Sequence, residues 1–349
     1  MNLEEEIFAQ EKIETAKLRR ERDAALHKAS GLQDQLEEAL KALNFIGDVT
    51  EANIEPPKWL SPDKPKLSAA TLVVMLSDLH LDEVVIPSEV DGLNAYNRQI
   101  AEMRLNKWTR NVIKMARHYL AGVKYDGCVL LMGGDIFSGD IHEELADTNA
   151  DTMMGSLLYW SEQLAAAIDL LATEFGKVHI ASVVGNHGRT TRKPRMKLRA
   201  KTNFDWLLAK VLERHFAKDK RVTFDTPEST DCFTKIYGYG HLMTHGDQVS
   251  GGGGIGGIYP PIMRLRARKA QRYLATGANF STLWMGHWHQ YLPSPFLVVN
   301  GSMKGVDEYA FINNFGYEPP QQALAIVTPE HGITIQAPIF CLDRKKEGW

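Results

Sequence analysis

From about residue 70 onward, short apolar runs alternate with longer stretches of helical spacing. TLVVMLS (71–77) reads as a buried strand ending at Asp78. Helical spacing follows over roughly 96–121, then the strand-like CVLLM (128–132), which ends at Gly133-Gly134-Asp135. A second helix over about 150–175 leads to VHIASVV (178–184) and Gly185-Asn186-His187. Unbroken apolar runs suit strands buried on both faces, and the strand–helix alternation predicts an α/β fold with a largely parallel sheet. Ligands of such sheets bind at the carboxyl ends of the strands. Here an Asp, Asn or His occupies each of those ends.

The second half changes character. CFTKIYG, HLMTH, TLWMGH, FLVVNGS, ALAIVT and ITIQAPIF are short and often separated by Gly or Pro, the pattern of a more antiparallel, mixed sheet. Residues 250–257 (SGGGGIGG) are a flexible loop by composition, read either as a solvent loop or as a flap beside a site. They do not form a P-loop, since no Gly-Lys-Ser/Thr follows.

Residues 1–46 stand apart. They lack proline and are dense in helix formers, with apolar positions at Leu3, Ile7, Ile13 and Ala16 and again at Leu32, Leu36, Ala39 or Leu40, and Leu43. Arg19, Arg20, Arg22 and Asp23 interrupt the stripe, so only about two heptads are clean where a sustained coiled coil wants three to four. The segment reads as a coiled-coil-like amphipathic helix, either solvated or used for self-association or partner docking. Residues 47–70, with Pro56, Pro57, Pro62 and Pro65, read as a linker. The globular domain then covers 71–349, long enough to bury a large core.

Composition narrows the class. The chain of 349 residues is 44% apolar and 24% charged, with 40 basic against 43 acidic side chains and a net charge of −3. That balance does not mark the whole chain as a nucleic-acid binder, so such a reading must rest on local patches. Cys128, Cys232 and Cys341 lie far apart with no CxxC pair, which excludes a disulfide framework and a thiolate zinc site. No run approaches a membrane span, and the acidic start MNLEEEIFAQEKIE is unlike a secretory signal. The expectation is a soluble, cytoplasmic protein with no membrane partner.

Five short motifs end strand-like runs: Asp78-Leu79-His80, Gly134-Asp135, Gly185-Asn186-His187, His245-Gly246-Asp247 and Gly286-His287-Trp288-His289. A lone histidine at a strand end is usually a satisfied surface or core residue. Five such motifs at one topological position are not independent accidents. They supply carboxylate and amide oxygens with imidazoles and no sulfur, a donor set for Mn, Fe, Zn or Ni rather than an all-oxygen cage.

In this order the blocks resemble the calcineurin-like metallophosphoesterase superfamily over about residues 71–303. The resemblance implies a pair of packed mixed β-sheets flanked by helices, with two divalent metal ions at the strand ends. Carried over, Asp78, His80 and His289 would bind one ion, Asn186, His245 and His287 the other, and Asp135 would bridge them. Two cations about 3.5–4 Å apart acidify a bridging water and clamp phosphate oxygens for in-line attack. His187 would serve as general acid to the leaving oxygen, or else as a histidine that orients a ligand. Manganese is the first expectation, with Fe, Zn, Ni or Mg as alternatives. One departure stands out: the family usually has Asp or Glu after Gly-Asn-His, where this chain has Gly188 and Arg189.

The most basic window starts there. Arg189, Arg192, Lys193, Arg195 and Lys197 lie in a run without an acidic residue, read as substrate-binding or as a solvated face. Positive charge beside a phosphoesterase centre favours a polyanion. Gly134-Asp135-Ile136-Phe137 is also similar to a short motif of the SbcD-type DNA nucleases. The expected function is therefore a phosphodiesterase acting on nucleic acid, a nuclease. A phosphomonoesterase or protein phosphatase on the same centre, and a non-catalytic scaffold, are the alternatives.

Overall fold

The structure, a computed structural model, describes residues 57–62, 69–250 and 257–349, together with Arg22. The helix expected over 1–46 lies outside the described residues, as do most of the linker and the centre of the glycine-rich loop. The chain divides into two compact units, Met1–Ile54 with Gln271–Ala278 and Glu55–Ala270 with Asn279–Trp349, and the two sheets and the site described below lie in the second. Among the described residues no helix is long and apolar enough to cross a membrane.

Two mixed sheets form the frame. In the first, β1 (Ala69–Leu76), β2 (Lys124–Met132), β3 (Val178–Ser182) and β4 (Val222–Asp225) run parallel, and β10 (Gln321–Thr328) and β11 (Gly332–Phe340) extend it antiparallel in the order β11-β10-β1-β2-β3-β4. The second, in the order β5-β6-β7-β9-β8, contains β5 (Asp231–Ile236), β6 (Tyr239–Thr244), β7 (Thr282–Met285), β8 (Leu292–Ser294) and β9 (Leu297–Val299). Its β6, β7 and β9 are parallel, flanked by antiparallel β5 and β8.

Strand periodicity explains why β1 reads as one apolar run. Leu72, Val74 and Leu76 enter the larger core with the helices, while Val73 and Met75 enter a second core containing Met243, Trp284 and Val298 of the other sheet. Successive side chains point to opposite faces, so a strand between two cores must be apolar throughout.

The helix expected over 96–121 is α1 (Arg98–Lys114), continued by a π-helical turn at Met115–Tyr119. Its N-cap Asn97 accepts from the Ile100 amide at 2.9 Å. A short α2 (Glu143–Thr148) precedes α3 (Met153–Phe175), which is capped by Thr152 and ended by Gly176 at φ 75°. Trp160, Leu164, Ile168 and Leu171 form its buried face, at helical spacing. Then come α4 (Phe204–His215), α5 (Tyr259–Leu274), α6 (Glu308–Ile312) and α7 (Arg344–Glu347).

Candidate metal centre

The residues singled out at the ends of β1, β2, β3, β6 and β7 come together. Three overlapping groups have ligand atoms all within 4.8 Å of one another: Asp78, His80 and His289; His80, Asp135 and His187; and Asp135, His245 and His287. Asp135 belongs to two of them. Asp78, His80, Asp135 and His245 are buried, while His287 and His289 are partly exposed. His80 Nε2 lies 3.2 Å from His289 Nε2, and His245 Nε2 lies 2.9 Å from Asp135 Oδ2. Asn186 Oδ1 is buried without a hydrogen-bond partner. A buried acceptor left without a donor, one residue before His187, fits a cation.

Local backbone geometry serves this convergence. Of ten non-glycine residues with positive φ among the described residues, five are candidate ligands: Asp78, His80, Asp135, His287 and His289. Such conformations are costly and persist where the surroundings fix them, often at functional sites. Two motif glycines are explained by space. A Cβ on Gly185 would meet Asp135 Oδ1 at 2.0 Å, and one on Gly286 would meet Asp78 Oδ2 at 2.2 Å. The carboxylates sit where those side chains would be.

Hydrogen bonds fix the remaining orientation. The His287 amide donates to Asp78 Oδ1 at 2.8 Å, and the His187 amide donates to Asp135 Oδ1 at 2.7 Å. His245 Nδ1 lies 2.8 Å from the Gly133 carbonyl, and His187 Nδ1 lies 2.7 Å from the Ser138 carbonyl. A carbonyl can only accept, so both Nδ1 atoms carry protons and both Nε2 atoms are left for the site.

The electrostatics match a cation site. Burial holds the His80 and His287 pKa values down to about 4, helped by Lys304 and by His245 respectively, so both rings are neutral at pH 7. Metal ligation needs that form. For His245 burial acts downward, but the Asp135 carboxylate outweighs it and raises the pKa to about 10. Burial would raise the Asp135 pKa, yet His245 and His187 hold it well below the usual carboxylate range. A proton thus lies between Asp135 and His245, where a cation would replace it.

Several supporting residues escape sequence reading. Glu83 Oε2 lies 3.2 Å from His80 Nδ1, and Lys304 Nζ donates to Glu83 Oε1 at 2.8 Å. Asp205 accepts from the backbone amides of Asp135 (3.1 Å), Ile136 (3.2 Å) and Gly185 (2.9 Å), joining two ligand-bearing loops. Asn300 donates to Ser77 Oγ at 2.8 Å, and Ser77 donates to Asp78. None of these carries a motif; they are known only by what they touch.

The basic window divides. The Arg189 guanidinium donates to the carbonyls of Asn186, Thr191 and Arg192 at 2.8–2.9 Å, and Arg192 pairs with Glu143. Lys193, Arg195 and Lys197 are exposed.

Fold and site together define a class, a two-sheet α/β protein with a shared-carboxylate histidine centre at its strand ends. Two mixed β-sheets flanked by helices are the fold implied by the resemblance to the calcineurin-like metallophosphoesterases. No family model and no curated protein matches the chain. Among solved structures, a predicted phosphoesterase from Streptococcus pneumoniae aligns at 12% identity over 77% of this chain and 97% of its own, with a TM-score of 0.28. Zinc-complexed Vps29 from Entamoeba histolytica aligns at 12% over 77% and 99%, with a TM-score of 0.30. The sulfate thiohydrolase SoxB of Thermus thermophilus aligns at 12% over 79% of this chain and 56% of its own, with a TM-score of 0.30.

Proposed function

We propose that this chain is a metal-dependent phosphoesterase that hydrolyses phosphodiester bonds of nucleic acid. The observation that carries the reading is the convergence of Asp78, His80, Asp135, His187, His245, His287 and His289 in three groups chained through His80 and Asp135, with the Asn186 oxygen left unpartnered. Asp78, His80 and His289 would hold one divalent ion, and Asn186, His245 and His287 a second, with Asp135 common to both. Ions held there would supply Lewis acidity and a nucleophile from water at neutral pH.

The chain's own residues supply the rest. His187 is fixed by its amide on Asp135 and by Nδ1–H on Ser138, which leaves Nε2 to hold a proton and deliver it to the leaving oxygen. Its ring centroid lies 4.5 Å from that of His80, so the proton is carried at the edge of the ligand set. Exposed Lys193, Arg195 and Lys197, on the segment that follows His187, favour a polyanionic substrate whose binding weakens with salt.

The test is a panel of labelled single-stranded and duplex DNA and RNA beside small chromogenic mono- and diesters, with Mn, Mg, Zn and Ni compared and EDTA as control. Metal-dependent cleavage of the polynucleotides is expected. Cleavage confined to monoesters would replace the nuclease reading with a phosphatase, and no hydrolysis with any metal would leave a scaffold.

A further inference from the structure

Between β9 and β10 the chain makes an excursion that leaves from the metal centre and returns to its starting point. The Met303 amide donates to the Asp78 carbonyl at 3.2 Å, and the Gln321 amide donates to the Ser302 carbonyl at 3.0 Å, which closes the base. The outer part, residues 309–317 (YAFINNFGY), holds four aromatic residues and no charged one. Tyr309, Phe311, Ile312, Phe315 and Tyr317 are 39% to 75% exposed. The Phe315 amide donates to the Ala310 carbonyl at 2.9 Å, and the Phe315 ring meets the Tyr309 ring edge to face with centroids 5.8 Å apart. The segment is thus folded back on itself, and its apolar side chains are gathered rather than scattered.

The two glutamates that bound this segment tie it to the loops of the centre. Glu308 Oε1 accepts from the Ile86 amide at 3.0 Å, and Glu318 Oε2 accepts from the Tyr291 amide at 2.8 Å, two residues beyond His289. Asp307, the N-cap of α6, pairs with Lys304, which donates to Glu83 beside His80. The patch is therefore fixed against both loops that carry ligands of one group, Asp78, His80 and His289. Its exposed area is on the order of 600 Å², taking roughly 200 Å² for a full side chain of this size. That is large for an idle patch on a monomer, yet below the roughly 800 Å² that each partner of a stable protein interface covers. A small flat occupant fits it better than a second protein.

We propose that residues 309–317 are a stacking platform for unpaired nucleobases flanking the scissile phosphate, so that the preferred substrate is single-stranded. The proposal rests on the phosphoesterase reading and adds the strand state to it. Aromatic faces accept any base, because every base has a π-face, and they give affinity without sequence choice. A segment free of charge suits neutral bases, while the phosphates of the same strand are drawn to exposed Lys193, Arg195 and Lys197. Bases already stacked inside a duplex cannot lie on the rings, so a duplex gains nothing from them.

The experiment measures binding of the full chain, in EDTA to prevent cleavage, by fluorescence anisotropy. The probes are a labelled thymidine decanucleotide and a decamer with the same sugar–phosphate backbone but abasic at every position. The ratio of the two Kd values is the readout, since backbone contacts and their salt dependence cancel in it. The strand with bases should bind roughly tenfold tighter, the worth of about one stacked base. The ratio should fall toward one in Phe315→Ala and also in Phe315→Leu, which keeps an apolar side chain but no ring. It should be unaltered in Leu158→Ala, at an exposed apolar position on α3. If the Phe315 variants do not fold, Tyr317→Ala reads the same ratio. A wild-type ratio near one overturns the proposal, as does no binding of either strand or a full ratio in Phe315→Leu. A dimer in light scattering that Phe315→Ala dissolves gives the patch to a second copy and overturns it too. Failure of the phosphoesterase reading is distinct: no hydrolysis with any metal, beside an intact ratio, removes the chemistry and leaves the platform. Metal-dependent cleavage with a ratio of one removes the platform alone.

Discussion

Replacing Lys304 with methionine isolates the worth of the cation buried behind the metal centre. The ammonium, on a side chain only 2% exposed, donates to Glu83 Oε1 at 2.8 Å and also pairs with Asp307. Methionine keeps the apolar stem and most of the volume but leaves two buried carboxylates without their cation. Removing one partner of a buried ion pair costs about 3–5 kcal/mol, whereas an exposed pair contributes about 1 kcal/mol or less. The burial on both sides places Lys304→Met in the first range. Burial acts to raise the Glu83 and Asp307 pKa values, but Lys304 outweighs it and holds both below the usual carboxylate range. A carboxyl depressed in this way contributes stability above its unfolded pKa of about 4.3 for Glu, and that contribution is lost as pH falls through the folded value. In Lys304→Met the contribution is missing and the stranded carboxylates gain protons readily. The gap to wild type should therefore be widest at pH 7 and narrow toward pH 4. Urea unfolding at pH 7, 5 and 4 measures it. A loss under about 1 kcal/mol at pH 7, where a buried pair predicts several, or a gap that widens on acidification, refutes the reasoning.

Two substitutions address the centre itself. Asp135→Asn keeps the volume but removes the charge shared by two ligand groups, so metal content by elemental analysis should fall and hydrolysis should vanish while far-ultraviolet circular dichroism is retained. His187→Ala should keep its metals and slow turnover by roughly 10²–10⁴; a wild-type rate on a poor-leaving-group substrate would remove its role as acid.

Strands β1, β2, β3 and β10 of the first sheet were legible because burial on both faces leaves unbroken apolar runs, as with Leu72 through Leu76 split between two cores. The candidate ligands were legible for a related reason: Asp, Asn and His stand out when they end such runs. Shorter elements gave no such signal. Strand β4 has one buried residue in four and β8 none, so neither presents an apolar run. The supporting shell was illegible in principle, since Lys304 meets Glu83 across 221 residues of sequence and reads along the chain as one more surface charge. Arg189 shows the reverse case. Its charge and position suggest a substrate contact, but closure of the loop at Asn203 turns the guanidinium onto backbone carbonyls, and closure is a tertiary fact.

Gly188 carries the remaining departure from the resemblance, and its surroundings give a physical reason for it. A Cβ there would meet Asn203 Oδ1 at 2.5 Å and the Asp205 carboxylate at 3.1 Å. The place next to the Gly-Asn-His block is thus already filled by a carboxylate delivered from the first turn of α4, held by three backbone amides. Burial and the Asp135 charge push the Asp205 pKa up to about 6, so the pocket resists further negative charge. Restoring the family's acid by Gly188→Asp should therefore damage the protein. Gly188→Ala tests the steric part, expected at about 1–3 kcal/mol as in other overpacked sites. Gly188→Asp adds repulsion from Asp205 and should be the less stable of the two, with a deficit relative to alanine that shrinks as pH falls below 6 and the carboxyls take up protons. Unfolding midpoints for both variants at pH 7 and pH 5 separate the terms. An aspartate variant as stable as wild type, and faster on a diester, would mean that position 188 can take the acid and that Asp205 does not stand in for it.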